Sequence, residues 1–174
     1  MKWKDKVFRE IAKEIYNDKE WSDITNKLNS GRNDFGVHVA IFSEPYLTLV
    51  LKGEKTVESR FSINRISPFG RIYKGDLVLL KKAGGPIVGM FICGDVLFFS
   101  KLNKQTLKNL ENIFAKQICS YVDEDFWESR INCKYATLIN IEKVRGTFPI
   151  QISKSDRTAW SIVQSKFISL FDNL

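Results

Sequence analysis

Gly53-Glu54-Lys55-Thr56-Val57-Glu58-Ser59-Arg60 sets four charged side chains and two hydroxyls between two apolar stretches. Upstream, Glu44-Pro45 starts a short helix, because proline's fixed φ suits the first turn, and Leu47, Val50 and Leu51 fall on one side of it. Gly53 ends that helix. From Thr56 to Phe61 the residues suit an extended segment. Side chains then alternate between faces, so Glu58 and Arg60 share one, where opposite charges pair and hold each other's rotamers. Lys55, just past the helix end, projects toward the same cleft. A carboxylate fixed beside two cations can accept hydrogen bonds from a base edge while the cations meet phosphate or carbonyl oxygens. The same residues also read as a structural ion pair at a barrel mouth, and the two readings are compatible.

Working outward, His38 to Phe42 reads as a strand, and Asp76 to Leu80 and Pro86 to Phe99 are β-rich runs joined by the turn Ala83-Gly84-Gly85. Leu102, Leu107, Leu110, Phe114 and Ile118 restore helical spacing. A helix is therefore expected over 103–120, with a short second one around Asp123 to Glu128. Strand character returns from Tyr135 to Val144, closed by Gly146 and Pro149. Ser155 is expected to cap a last helix over about 155–171, with Trp160, Val163, Phe167, Leu170 and Phe171 as its buried stripe. Before the strands, Trp3, Val7, Ile11 and Ile15 recur every four residues, with eight basic and seven acidic residues in the first 35. That near balance favours packing onto the domain over a membrane surface. The division expected is a helical N-terminal extension over 1–36 and a domain over 37–174 with a helical insertion at about 103–129. Strands interrupted by helices without regular βαβ alternation imply an α+β fold, a small mixed β-barrel decorated by helices.

Composition bounds the chemistry. With 174 residues, 44% of them hydrophobic and 13% aromatic, the chain can bury a core, which excludes intrinsic disorder. Its longest apolar stretch, Pro86 to Gly94, is far short of the roughly 20 residues a bilayer demands, and Met1 to Asp5 lacks a signal-peptide core. Cys93, Cys119 and Cys133 are dispersed and His38 is the single histidine, so no spacing for a tetrahedral zinc site exists. Scattered thiols fit a reducing cytoplasm as small buried apolar residues, and a Cys93–His38 nucleophile pair stays open. The net charge of +7 favours anionic partners. Most of that excess lies in residues 52–82, where eight basic residues face three acidic ones and Phe61, Phe69 and Tyr73 are interleaved. Cations beside rings suit single-stranded RNA, whose phosphates they neutralise and whose bases the rings stack, and the same stretch also reads as a solvated basic face.

Gly53, Lys55, Glu58 and Arg60 meet all four positions of Gly-x-Lys-x-x-Glu-x-Arg, and the octapeptide with its flanking Glu44-Pro45-Tyr46-Leu47 and Gly75-Asp76 resembles the ASCH family of the PUA-like superfamily. The resemblance covers roughly residues 37–100, with Tyr135 to Val144 as a late barrel strand. It implies a PUA-like barrel that binds RNA or a modified nucleoside or nucleotide, with no cofactor. Some small members of the family are amidohydrolases on acylated cytidine, and others are ribonucleases. The amidohydrolases look to a lysine in this motif, a threonine three residues later and a glutamate on a later strand. Lys55 matches the lysine. The position three later is Glu58, Thr56 is the nearby hydroxyl, and Asp95 and Glu142 are candidates for the remaining acid.

A lysine base needs its pKa brought from about 10.4 toward 7 or 8, and Glu58 would push the opposite way, so Lys55 is expected to stay protonated and act as an anchor. The leading expectation is a cytoplasmic binding protein whose cleft is lined by Lys55, Thr56, Glu58 and Arg60, with Arg65, Arg71, Lys74 and Lys81 as outer phosphate contacts. The alternative is a hydrolase of an acylated nucleoside or of RNA, with Lys55 and Glu58 as its catalytic residues. A third reading is a protein-interaction domain whose helical extensions make the contacts.

Overall fold

The computed structural model describes residues 3–153 and 158–167. One six-stranded mixed sheet organises it, built from β1 (Val37–Phe42), β2 (Val57–Ser62), β3 (Leu77–Lys82), β4 (Ile87–Ser100), β5 (Tyr135–Ile150) and β6 (Trp160–Gln164). The spatial order is β2-β5-β4-β3-β1-β6, with β1 and β3 parallel and every other pair antiparallel. Four helices accompany it among the described residues: α1 (Trp3–Ile15), α2 (Ser22–Asn29), α3 (Tyr46–Leu51) and α4 (Lys104–Ile118). None is long and apolar enough to cross a membrane.

Strand periodicity sorts the core. Val37 and Val39 on β1, with Leu77 and Leu79 on β3, point to one face and pack with Val7, Ile11 and Ile15 of α1 and with Trp21 and Ile24. Ala40, Phe42, Val78 and Leu80 alternate to the other face and meet Leu47 and Val50 of α3. Both faces of these strands are covered, which is why β3 reads as an unbroken apolar run rather than an alternation. A third cluster forms where α4 lays Leu110 and Ile118 against Val57, Ala136 and Leu138 of β2 and β5. The N-terminal helices thus contribute to the core. Arg145 of β5 also holds them, pairing with Asp18 and donating to the Glu14 carbonyl at 3.1 Å.

The sheet curls until its two ends approach each other. Arg60, on edge strand β2, donates from Nη2 to the Ile41 carbonyl of β1 at 2.9 Å, and its guanidinium lies 5.3 Å from the Trp160 ring of β6. β2 is at one end of the strand order and β1 and β6 are at the other. Arg60 therefore spans the seam of a half-barrel.

Three expectations are corrected. Trp160–Gln164 is a strand, not part of a final helix, and Phe167 in the expected buried stripe is 65% exposed. Without β6 the β1 edge would present unpaired N–H and C=O groups, and pairing them outweighs the weak helical spacing of the stretch. Residues 155–157 and 168–171 of that expected helix lie outside the described residues. Second, β5 continues to Ile150, with Ile87 opposite Ile150 and Gly89 opposite Gly146. The register shift between these pairs leaves Pro149 in an irregularity, where its missing N–H takes nothing from the ladder. Third, Asp123 to Glu128 forms turns rather than a helix start, flanked by single 3-10 turns at Ser120–Val122 and Glu128–Arg130.

Candidate ligand-binding cleft at the sheet seam

Beside the seam lies a cleft of about 440 Å³, lined by Lys55, Glu58, Ser59, Arg60 and Phe61 from the octapeptide region, by Ile41 to Ser43 and Tyr46, and by Phe126, Ser129, Arg130 and Cys133 from the insertion before β5. Gly53, at φ +73°, lets the chain leave α3 and turn directly into β2. That turn drops Lys55 inward, 2% exposed, and the alternation of β2 brings Glu58 and Arg60 to the same wall.

Lys55 Nζ donates to the carbonyls of Val57 at 2.8 Å and Ile118 at 3.0 Å, and lies 3.4 Å from Glu58 Oε2. Burial is the larger influence and lowers its pKa below the ordinary lysine value, while Glu58 opposes the shift. The expectation that the carboxylate would dominate is reversed in direction. Its three acceptors nonetheless match the three protons of an ammonium, and a neutral amine would leave one of them unserved. Lys55 is thereby an anchor between β2 and the end of α4. Glu58 is 4% exposed, and its other oxygen lies 2.6 Å from Arg60 Nε, so one carboxylate pairs with two cations and the trio keeps a net charge of +1. The Arg60 guanidinium also lies 5.1 Å from the Phe42 ring.

Part of the cleft lining comes from residues that the sequence reading did not assign to the site. The Tyr46 hydroxyl is buried with no hydrogen-bond partner, and burial, reinforced by Asp123, raises its pKa. Arg130 lays its guanidinium 3.6 Å from the Phe126 ring centroid, donates to the Phe126 carbonyl and to Ser129 Oγ, and has its pKa lowered by burial. Phe61, Phe126 and Trp127 form an edge-to-face cluster behind it. Aromatic residues four and three positions before Arg130 were visible in the sequence, but nothing local connects 126–130 to 53–60.

Other expected site residues lie elsewhere. Thr56 is exposed, its backbone bonded to Gln117 and Ile141, and it is not in the cleft lining. Arg65, Arg71, Lys74 and Lys81 are also outside that lining. Lys74 meets exposed Asp95 at 2.9 Å, Lys81 donates to the Gly85 carbonyl within the β3–β4 hairpin, and Arg65 sits over Phe69. Neither Asp95 nor Glu142 lines the cleft. His38 is 3.1 Å from Asp76 Oδ2 through Nε2 and accepts from Trp160 Nε1 at 3.2 Å through Nδ1. Both ring nitrogens are therefore engaged in a buried structural network, and the open Cys93–His38 pairing is replaced by it. Gly36 belongs to the same network: its N–H donates to Asp76, and a Cβ there would come within 2.6 Å of that carboxylate. Burial pushes the Cys93 thiol well above its usual range, which keeps it protonated and inert. No group of three or more His, Cys, Asp or Glu among the described residues is placed to hold a metal ion.

Among solved structures, ASCH from Zymomonas mobilis superposes with a TM-score of 0.52 at 12% identity, covering 66% of this chain and 72% of that one. The chain has an ASCH-like fold. A serine-to-alanine mutant of the Zymomonas protein gives 0.53 at 14% identity over 68% of this chain and 75% of that one. A tyrosine-to-phenylalanine mutant gives 0.51 at 14% over 66% and 74%. No protein-family model and no curated protein sequence matches the chain. The ASCH-like sheet is what brings the octapeptide to the seam, and the insertion before β5 supplies the opposite wall of the cleft.

Proposed function

We propose that this ASCH-like chain binds a nucleobase-bearing ligand, RNA or a modified nucleoside, in the seam cleft. One observation carries the reading: the buried Tyr46 hydroxyl has no partner, in a cleft that also holds the Phe61 and Phe126 rings and the stacked Arg130 guanidinium. An unpaired buried hydroxyl costs roughly 1–3 kcal/mol, which a ligand's hydrogen bond would recover. Rings and a guanidinium plane are the surfaces on which unstacked bases settle. Lys55, Glu58 and Arg60 form the wall behind, with one positive charge in excess.

This favours binding over hydrolysis. Lys55's lowered pKa is what a general base needs, but its protons are committed to two carbonyls and Glu58, so no lone pair is offered to a substrate. Calorimetric titration of nucleosides, N-acyl cytidines and short single-stranded RNA tests the proposal. Tyr46→Phe is expected to weaken binding about fivefold, the worth of one hydrogen bond, while raising the urea midpoint of the free protein by relieving the unpaired hydroxyl. Unchanged affinity in Tyr46→Phe and Arg130→Ala would remove the cleft from consideration. Turnover of an N-acyl cytidine or of labelled RNA that disappears in Lys55→Ala would replace the binding reading with the hydrolase one.

A further inference from the structure

Arg60 and Phe61 also line a second cavity beside the main cleft. It measures about 140 Å³ and is completed by Ser62, Ile66 to Phe69, Thr137, Ala159 and Trp160. We propose that the two cavities form one composite site and that its ligand is a strand segment presenting two neighbouring bases, one on each side of Arg60, rather than a free nucleoside. The inference rests on the nucleobase reading of the main cleft and specifies the substrate class of that site.

Adjacency comes first: Arg60 and Phe61 belong to both linings, so the two cavities are neighbours that share these side chains as a common wall. The walls come next. The smaller cavity is bounded by the rings of Phe61, Phe69 and Trp160, and Phe69 is held from behind by Phe98 at 5.3 Å and Tyr135 at 5.1 Å between ring centroids. A ring braced on two sides is a ready stacking surface, because little freedom remains to be lost when a base settles on it. Charge comes third. Successive bases are linked by one phosphate, and the group between the cavities is a guanidinium, the side chain best matched to phosphate oxygens. Arg60 donates from Nη2 to Ile41 and pairs electrostatically with Glu58, but its Nε is left without a hydrogen-bond partner, so the guanidinium keeps unspent donor capacity. At the outer end, exposed Arg65 stands 5.4 Å from the Phe69 ring, placed for the next phosphate of a longer strand.

The experiment compares, by calorimetry at fixed salt, the 5′-mononucleotide and the dinucleoside monophosphate of each base, which carry one phosphate apiece. The dinucleotide of the preferred base is expected to bind roughly tenfold tighter or more. Phe69→Ala, which removes the stacking face, and Ala159→Leu, which narrows the cavity from the residue preceding β6 without disturbing the Phe69 cluster, should each bring that dinucleotide down to the mononucleotide's affinity while leaving the mononucleotide unchanged. Equal affinity of mono- and dinucleotide in the wild-type protein, or a dinucleotide advantage that survives both substitutions, overturns the two-base site and leaves the main-cleft reading standing. Failure of every mono- and dinucleotide to bind overturns the main-cleft reading and this proposal with it.

Discussion

At Lys55, burial and charge pull in opposite directions, and the sign of their balance can be measured. Its folded-state pKa is depressed below the ordinary 10.5. Over the interval between the two values the unfolded chain holds a proton that the folded chain has released, so the Lys55 contribution to stability rises with pH and is lost as pH falls through the folded value. Urea midpoints of wild type and Lys55→Met between pH 8 and about 10.5 are expected to diverge in favour of wild type as pH rises. Divergence the other way would mean that the Glu58 pair outweighs burial. Glu58 is the more sensitive position. Its carboxylate serves both Lys55 and Arg60, so Glu58→Ala strands two cations and should cost about 3–5 kcal/mol in urea unfolding. The pairing of Glu58 with Arg60 was legible in the octapeptide, since two residues on one strand face need no further information. The burial of Lys55 was not, because Ile118 supplies one of its acceptors from 63 positions away.

Among the elements, β6 is held by more than its ladder. Trp160 Nε1 donates to His38, and the Ile41 amide donates to the Ala159 carbonyl at 2.9 Å. Trp160→Phe deletes the first bond and leaves His38 Nδ1 buried without a donor, which should cost about 1–3 kcal/mol. Hydrogen exchange should show the Ile41 amide losing protection more than the amides of β4. At the other end of the chain, Ile11 is 1% exposed within α1, so Ile11→Ala is expected to cost about 2–5 kcal/mol and to show that the N-terminal helices belong to the cooperative core. Their attachment was readable from the four-residue spacing of Val7, Ile11 and Ile15. The β6 stretch misled because Trp160 and Val163 fit helical spacing as well as strand alternation over so short a run.

For the molecule as a whole, the proposed ligand would meet the excess positive charge where it stands beside the seam. If RNA runs from the cleft past Arg60, its affinity should fall with salt at about 0.7 logarithmic units per phosphate neutralised. Arg65→Ala should flatten that slope by about one phosphate. Lys74→Ala should leave it unchanged, because Lys74 already meets Asp95 in an exposed pair outside the cleft lining.

From its own residues the sequence determined α1, α3 and α4, most strands, the Gly53 turn and the charge trio at and just before β2, because these depend on periodicity, backbone freedom and neighbours a few positions apart. Only the tertiary structure decided that the sheet would curl until β2 faced β1 and β6, that Tyr46 would be left unpaired, and that Phe126 and Arg130 would wall the cleft. Those outcomes depend on backbone groups seeking partners and apolar faces seeking cover across distant parts of the chain, which no local window contains.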